Sequence, residues 1–301
     1  MAEIFVVGSI NQDFVLRVER RPRPGETVTG AVLSLHAGGK GANQAVAAAL
    51  LRGSVALLGR VGDDPFAANL LQALHGAGVD TSHVQTVPGV ATGAAIITVT
   101  PDGENSIVVA PGANAHVQAT DVEAAREAIQ TAKVLVLQLE LPLEAVQRAA
   151  KVAGEGGTRV VLNLAPMREV PTSLLKLANP LVVNEHEAHA LLGAPVHGVA
   201  DAQDAALELL GTGPASVVVT LGDEGAVVAG DGPLRHVPAP IVPVVDTTGA
   251  GDAFVGALAT RLAGGASLSE AVTSGVRAGA AAVSKEGAQS SLPTPDVLAA
   301  L

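Results

Sequence analysis

The chain has 301 residues, 48% of them apolar and only 1% aromatic, with no Trp and no Tyr. That supplies an aliphatic core for one large α/β domain or two smaller ones, and it excludes base or sugar stacking on Trp or Tyr. Zero cysteines exclude disulfides and zinc–thiolate sites, and a net charge of −11 without a Lys/Arg run excludes a duplex-binding face.

The opening MAEIFVVGSI has no basic segment and only a short apolar run, so it reads as neither a leader nor a membrane span. The expected location is therefore cytoplasmic, with no nucleic-acid and no membrane partner. Residues 4–7 read as a strand, followed by the polar Asn11 and Asp13. Residues 14–36 have no helical period and read as strands of a small projecting sheet. The run Gly38-Gly39-Lys40-Gly41-Ala42-Asn43 then opens a helix over 41–52. Its glycines let backbone approach a ligand, but the spacing is not that of a P-loop.

A strand at 55–58 and a helix at 64–75 follow. Within 92–112, two β-rich runs flank Pro101-Asp102-Gly103-Glu104, a hairpin turn signal that completes the small sheet. A helix over 120–132 is expected to start in a capping box of Thr120 and Glu123. A strand at 134–139 ends at Glu140, and a helix spans 143–153. Strands at 159–164 and 181–183 carry Asn163, Asn184 and Glu187 at or after their ends. His186 and His189, at i and i+3, read as a solvated helix start rather than a zinc site. A helix at 201–210 and a strand at 216–221 bring in Thr220 and Gly222, and a last helix over 267–284 starts in a capping box of Ser267 and Glu270.

The apolar runs do not alternate, which suits strands covered on both faces. Strand–helix alternation argues a doubly wound α/β fold with a mostly parallel central sheet flanked by helices, plus a small projecting β-sheet. Ligands in such sheets sit beyond the carboxyl ends of the strands, where the polar residues above recur.

The segment VDTTGAGDAF at 245–254 precedes apolar residues spaced by four, Phe254, Leu258 and Leu262. Gly249, Ala250 and Gly251 therefore stand at a helix N-terminus, which favours an anion. Asp252 suits either of two roles, a helix cap or a general base beside that anion, and spacing alone leaves both open.

In this order, GSINQD (8–13), PRPGET (22–27), GGKGANQAVAAA (38–49), QLELP (138–142), NEHEA (184–188), TLGDEG (220–225), DTTGAGDAFVGAL (246–258) and GAQSS (287–291) resemble the ribokinase family of carbohydrate kinases, also called PfkB-type, over essentially the whole chain. The resemblance implies ATP-dependent phosphorylation of the 5-hydroxyl of D-ribose. Related kinases of deoxyribose, fructose or a nucleoside, and a non-catalytic sugar-binding protein, are the alternatives. An α/β dehydrogenase is a poorer one, because no GxGxxG follows the first strand.

The resemblance puts Asn11, Asp13, Gly39, Lys40, Asn43 and Glu140 around the sugar, with Asp252 as catalytic base. Gly249, Ala250 and Gly251 become the anion hole. Asn184, Thr220, Gly222, Gly225 and Gly251 would meet ATP, and Glu187 would order Mg²⁺ through water. A monovalent cation, usually K⁺, is implied at Asp246, Thr248, Ala282, Lys285, Gly287 and Ser291. Residues 1–13, 37–91 and 113–301 become the core, and 14–36 and 92–112 a lid through which the chain pairs as a homodimer. One departure stands at Val276, where relatives often place His or Asn near the adenine.

Overall fold

The computed structural model describes residues 2–101 and 105–301. Its strands are β1 (Ile4–Val7), β2 (Asn11–Arg17), β3 (Val32–Gly38), β4 (Val55–Gly62), β5 (Val79–Val87), β6 (Gly93–Val99), β7 (Asn105–Ala110), β8 (Val134–Leu137), β9 (Arg159–Asn163), β10 (Leu181–Asn184), β11 (Val217–Thr220), β12 (Ala226–Gly230) and β13 (Gly232–Val237). The helices are α1 (Lys40–Leu50), α2 (Pro65–Gly76), α3 (Ala119–Ala124), α4 (Arg126–Thr131), α5 (Leu143–Gly156), α6 (Thr172–Leu175), α7 (Glu185–Leu192), α8 (Gly198–Gly211), α9 (Ala250–Ala263), α10 (Leu268–Val283) and α11 (Pro295–Ala299).

One sheet has the order β13-β12-β11-β10-β9-β8-β1-β4-β5. It is parallel from β11 to β5, and β12 and β13 turn antiparallel at one edge. Apart from β5 at the edge, the parallel strands are largely buried apolar runs because helices cover both faces. On one face Ile4, Val6, Leu57 and Val136 pack against α1, α2, α9 and α10. On the other, Phe5, Val7, Leu58 and Leu137 pack against α3, α4, α5 and α8.

The second sheet has the order β3-β2-β6-β7, with β2 and β6 parallel and the outer pairs antiparallel. It starts at Asn11, so Asn11 and Asp13 are in its β2 strand. Residues 102–104 of the expected hairpin turn lie outside the described residues; the strands flanking them pair from Val99 to Asn105.

Strand order decides where a ligand fits. From β1 the chain moves one way to β4 and β5, whereas β8 to β11 build out from the other side of β1. The crevice of such a reversal opens beyond the carboxyl ends of β1 and β8.

Some local expectations are corrected. The helix expected over 120–132 breaks at Ala125, and its capping box is Gln118 with Asp121, not Thr120 with Glu123. Asp121 is also fixed by Arg60 on β4, while Arg126 and Arg148 engage Glu123. The strand expected over 134–139 ends at Leu137, since the Leu139 amide leaves the ladder to donate to the Ala165 carbonyl at 2.9 Å. The Ser267–Glu270 box is present as expected.

Candidate active site

The loop after β1 packs directly on the start of α1. Gly39, at φ 89°, is the N-cap, and a Cβ there would lie 2.8 Å from the Asn11 amide nitrogen. A Cβ on Gly41 would lie 2.5 Å from Gly8. Only glycine allows this approach, and it brings Lys40, Asn43 and Gln44 to the crevice.

Glu140, just beyond β8, accepts from the Lys40 amide at 3.0 Å and from the Ser9 hydroxyl. Asn11 is fixed by Asn114, whose Nδ2 donates to Asn11 Oδ1 at 2.7 Å. Asp13 is buried, and its Oδ1 has no hydrogen-bond partner among the described residues. A buried acceptor without a donor is costly unless something else supplies one, so this oxygen fits a ligand hydroxyl. Burial, then Glu140 and Asp252, push the Asp13 carboxyl up to about 7, against the pull of Lys40. For Lys40, burial works against the charge but is outweighed by Asp252, Glu140, Glu187 and Asp13, so its ammonium is held above its ordinary value.

Asp252 lies in the first turn of α9 and does not cap it. The N-cap is Gly249, at φ 79°, and no side chain bonds the helix start. Instead Asp252 Oδ2 accepts from Asn43 Nδ2 and Oδ1 from Gln44 Nε2, both at 2.9 Å. Burial holds its carboxyl above the usual range; Lys40, Asn43 and Gln44 oppose that, and Glu140 adds to it. A partly desolvated carboxylate with fixed donors, beside a helix N-terminus, is equipped to take a proton from a neighbouring hydroxyl.

On the other side of the α9 N-terminus lies a cleft of about 620 Å³. Thr220, Gly222, Gly225, Ala250 and Gly251 line it, with an apolar wall that includes Phe254, Val276 and Val283. Gly225, at φ 94°, is pressed so closely on Val237 that a Cβ would lie 2.0 Å from its carbonyl oxygen. Asn184 pairs in register with Thr220 at the adjacent strand end. It caps α7 in a reciprocal box with Glu187, at 2.8 Å in each direction. Glu187 is buried, which raises its carboxyl against the opposing Asn184 amide and Lys40.

Asp246 ties two loops together, with Oδ1 accepting from the Thr248 amide and Oδ2 from the Gly287 amide, both at 2.9 Å. Although burial raises it, bonds from Thr248 and Gly287 leave its carboxyl below the usual range. Nearby, the Ala282 carbonyl accepts from the Lys285 amide at 3.2 Å, and Ser291 Oγ donates to the Ala288 carbonyl at 2.9 Å. A Cβ on Gly249 would come within 3.1 Å of Ala288, so this loop braces the glycine turn directly.

A family model described as pfkB family carbohydrate kinase matches residues 1–295. The chain belongs to this family. This carbohydrate kinase is 42% identical to a ribokinase of Haemophilus influenzae over 96% of its own length and 94% of that protein's. It is 38% identical to a deoxyribokinase of Salmonella typhi, over 97% of its own length and 96% of the relative's. Among solved structures it is similar to an Arabidopsis thaliana ribokinase complexed with ribose and ATP, with a TM-score of 0.91 and 31% identity, covering 99% of this chain and 98% of that one.

The polar cluster around Asp252 and Asn11 also contains side chains that the sequence reading missed: Ser9, Gln44, Asn114, Gln138 and Gln289. Gln289 Nε2 donates to Asn43 Oδ1 at 3.0 Å and so turns the Asn43 amide toward Asp252. All but Asn114 lie inside motifs quoted above, but an uncharged amide or hydroxyl gives neither a charge pattern nor a periodicity to mark it.

Proposed function

We propose that this kinase transfers the γ-phosphoryl group of ATP to the 5-hydroxyl of D-ribose. One observation carries the reading: a buried Asp252 that does not cap its helix, aimed by Asn43 and Gln44, stands between a cluster of polar side chains and a cleft of about 620 Å³. The comparisons support ribose and ATP as the partners, because a similar ribokinase structure holds both.

Asn11, Asp13, Lys40, Asn43 and Glu140 bind the sugar hydroxyls, with Gly39 giving the close approach. Carboxylates accept from hydroxyls and amides donate to them, so the cluster suits a polyol. Asp252 takes the proton from the 5-hydroxyl as the oxygen attacks. The turn at Gly249, Ala250 and Gly251 presents backbone amides to the charge that develops on the transferring group, the Ala250 amide by giving up its 3.3 Å bond to the Thr247 carbonyl. Thr220, Gly222, Gly225 and Asn184 hold the nucleotide.

Among the described residues, no group of three His, Cys, Asp or Glu side chains could cage a metal. That fits Mg²⁺, which keeps its waters and binds mainly through substrate phosphates; Glu187 would order those waters. Asp246, Thr248, Ala282, Lys285, Gly287 and Ser291 offer oxygen donors suited to K⁺, which would brace the Gly249–Gly251 turn.

The small sheet, which extends the expected lid of 14–36 and 92–112 back to Asn11 and on to Gly38, acts as a lid that excludes water from the core formed by the rest of 1–13, 37–91 and 113–301. It also pairs two chains. No helix among the described residues is long and apolar enough to cross a membrane, in keeping with action in the cytoplasm.

A second reading, phosphorylation of deoxyribose, is favoured by the similarity to a deoxyribokinase. Comparing kcat/KM for D-ribose, 2-deoxyribose, fructose and adenosine separates the two. D-ribose is expected to lead; equal values, or deoxyribose in the lead, would sink the ribose assignment.

A further inference from the structure

Asp252 is oriented by an amide chain that the sugar, the nucleotide and the cation site do not require. Gln44 is buried on α1, with 1% of its surface exposed. Its Nε2 donates to Asp252 Oδ1 and to Asn163 Oδ1, both at 2.9 Å. Its Oε1 accepts from Gln138 Nε2 at 2.6 Å. Both hydrogens of the Gln44 amide and its carbonyl are thus engaged.

The orientation of that amide follows from its neighbours. A flipped Gln44 would point its oxygen at two acceptors, the Asp252 carboxylate and Asn163 Oδ1, and its nitrogen at the Gln138 nitrogen. Asn163 is oriented in turn by its own Nδ2, which donates to the Val182 carbonyl at 3.5 Å. Gln138 is fully buried at the end of β8, and its Oε1 has no partner among the described residues. A Cβ on Gly8 would lie 2.3 Å from that oxygen, so the absence of a side chain at Gly8 makes room for Gln138. Leaving a buried acceptor unbonded costs free energy, and the compensation is a Gln138 nitrogen fixed on Gln44.

We infer that Gln44 is a positioning residue for Asp252, locked in its donating orientation by Gln138 just beyond β8 and Asn163 from β9. The inference rests on Asp252 as the proposed base. Donors aimed at a carboxylate favour its charged, proton-accepting form. The other charged groups around Asp252 are Lys40 from α1, Glu140 beyond β8 and Asp13 from β2, with Glu187 from α7 acting on Lys40. None of these changes when Gln44 or Gln138 is replaced by an uncharged residue.

The test is the titration of Asp252 by carbon NMR of carboxyl-labelled protein, assigned by the signal lost in Asp252→Asn. It is read beside the pH profile of kcat/KM for D-ribose with ATP. In Gln44→Leu the Asp252 midpoint and the acid limb should both rise by about one pH unit. Turnover near neutral pH should fall roughly ten- to a hundredfold, with the ribose Kd within about threefold. Gln44→Glu should shift the midpoint further in the same direction and regain turnover at alkaline pH. Gln138→Leu leaves every bond to Asp252 in place and should give a smaller shift of the same sign, which keeps the test open if Gln44→Leu fails to fold. An Asp252 midpoint unmoved in the folded variants would overturn the inference. A wild-type protein inactive on ribose would instead overturn the function proposed above, while the NMR titration still decides the role of Gln44.

Discussion

Residue chemistry here turns on one ammonium among several carboxylates. Burial raises the Asp13 carboxyl first, and Lys40, shared by Asp13, Glu140, Asp252 and Glu187, does not offset it. A carboxyl whose folded value of about 7 lies above its ordinary 3.8 adds stability at low pH that is lost as pH rises through the folded value. Asp13→Asn stays neutral, so it should gain on wild type between about pH 5 and about pH 8, by roughly 2–4 kcal/mol. Thermal denaturation at both pH values checks this; parallel curves for the two proteins would contradict it. Charged residues such as Asp13, Lys40 and Glu140 were legible in the sequence because each follows a strand or opens a helix. The cap-or-base alternative at Asp252 was not, because it depends on Asn43 and Gln44 reaching across from another helix.

Elements were legible where the apolar run was long and bounded by clear turn signals. Strands such as β1, β8 and β11 are covered on both faces and read as continuous apolar runs. Strands β5 and β13 were missed because they are polar and only partly buried, and β12 was missed although Ala226 to Ala229 are buried, because its short Ala/Val run follows a glycine turn with no turn-and-strand pattern to separate it from β11. The small sheet raises the opposite question, since it is apolar where it meets solvent. Leu35, Phe14, Ile96 and Val108 share one cross-strand row, and Val108 is 70% exposed. The edge strand β7 is exposed along its whole length. An apolar face beside an open strand edge is a surface that soluble chains normally cover. We therefore expect wild type to sediment as a dimer and Val108→Lys as a monomer. A wild-type monomer, or a variant that remains dimeric, would count against pairing through this sheet.

At the scale of the whole molecule, the reversal of strand order at β1 sets one crevice, and α9 points its N-terminus into it. The polar cluster proposed for the sugar lies on one side of that helix end and the cleft proposed for the nucleotide on the other. A chain of net charge −11 can thus receive an anionic substrate, because local amides and Lys40 would set the field along the proposed path of the phosphoryl group. The order of the motifs made this architecture legible in the sequence. The hold of Asn43 and Gln44 on Asp252, backed by Gln138, Asn163 and Gln289 from other segments, required the fold. The most direct measurement is the initial rate of D-ribose 5-phosphate formation from ATP by Asp252→Asn beside wild type, with ribose binding followed by calorimetry. Expected is a loss of roughly a hundred- to ten-thousandfold in turnover with ribose affinity kept within a few-fold. Turnover within a few-fold of wild type would contradict the assignment of Asp252 as the base.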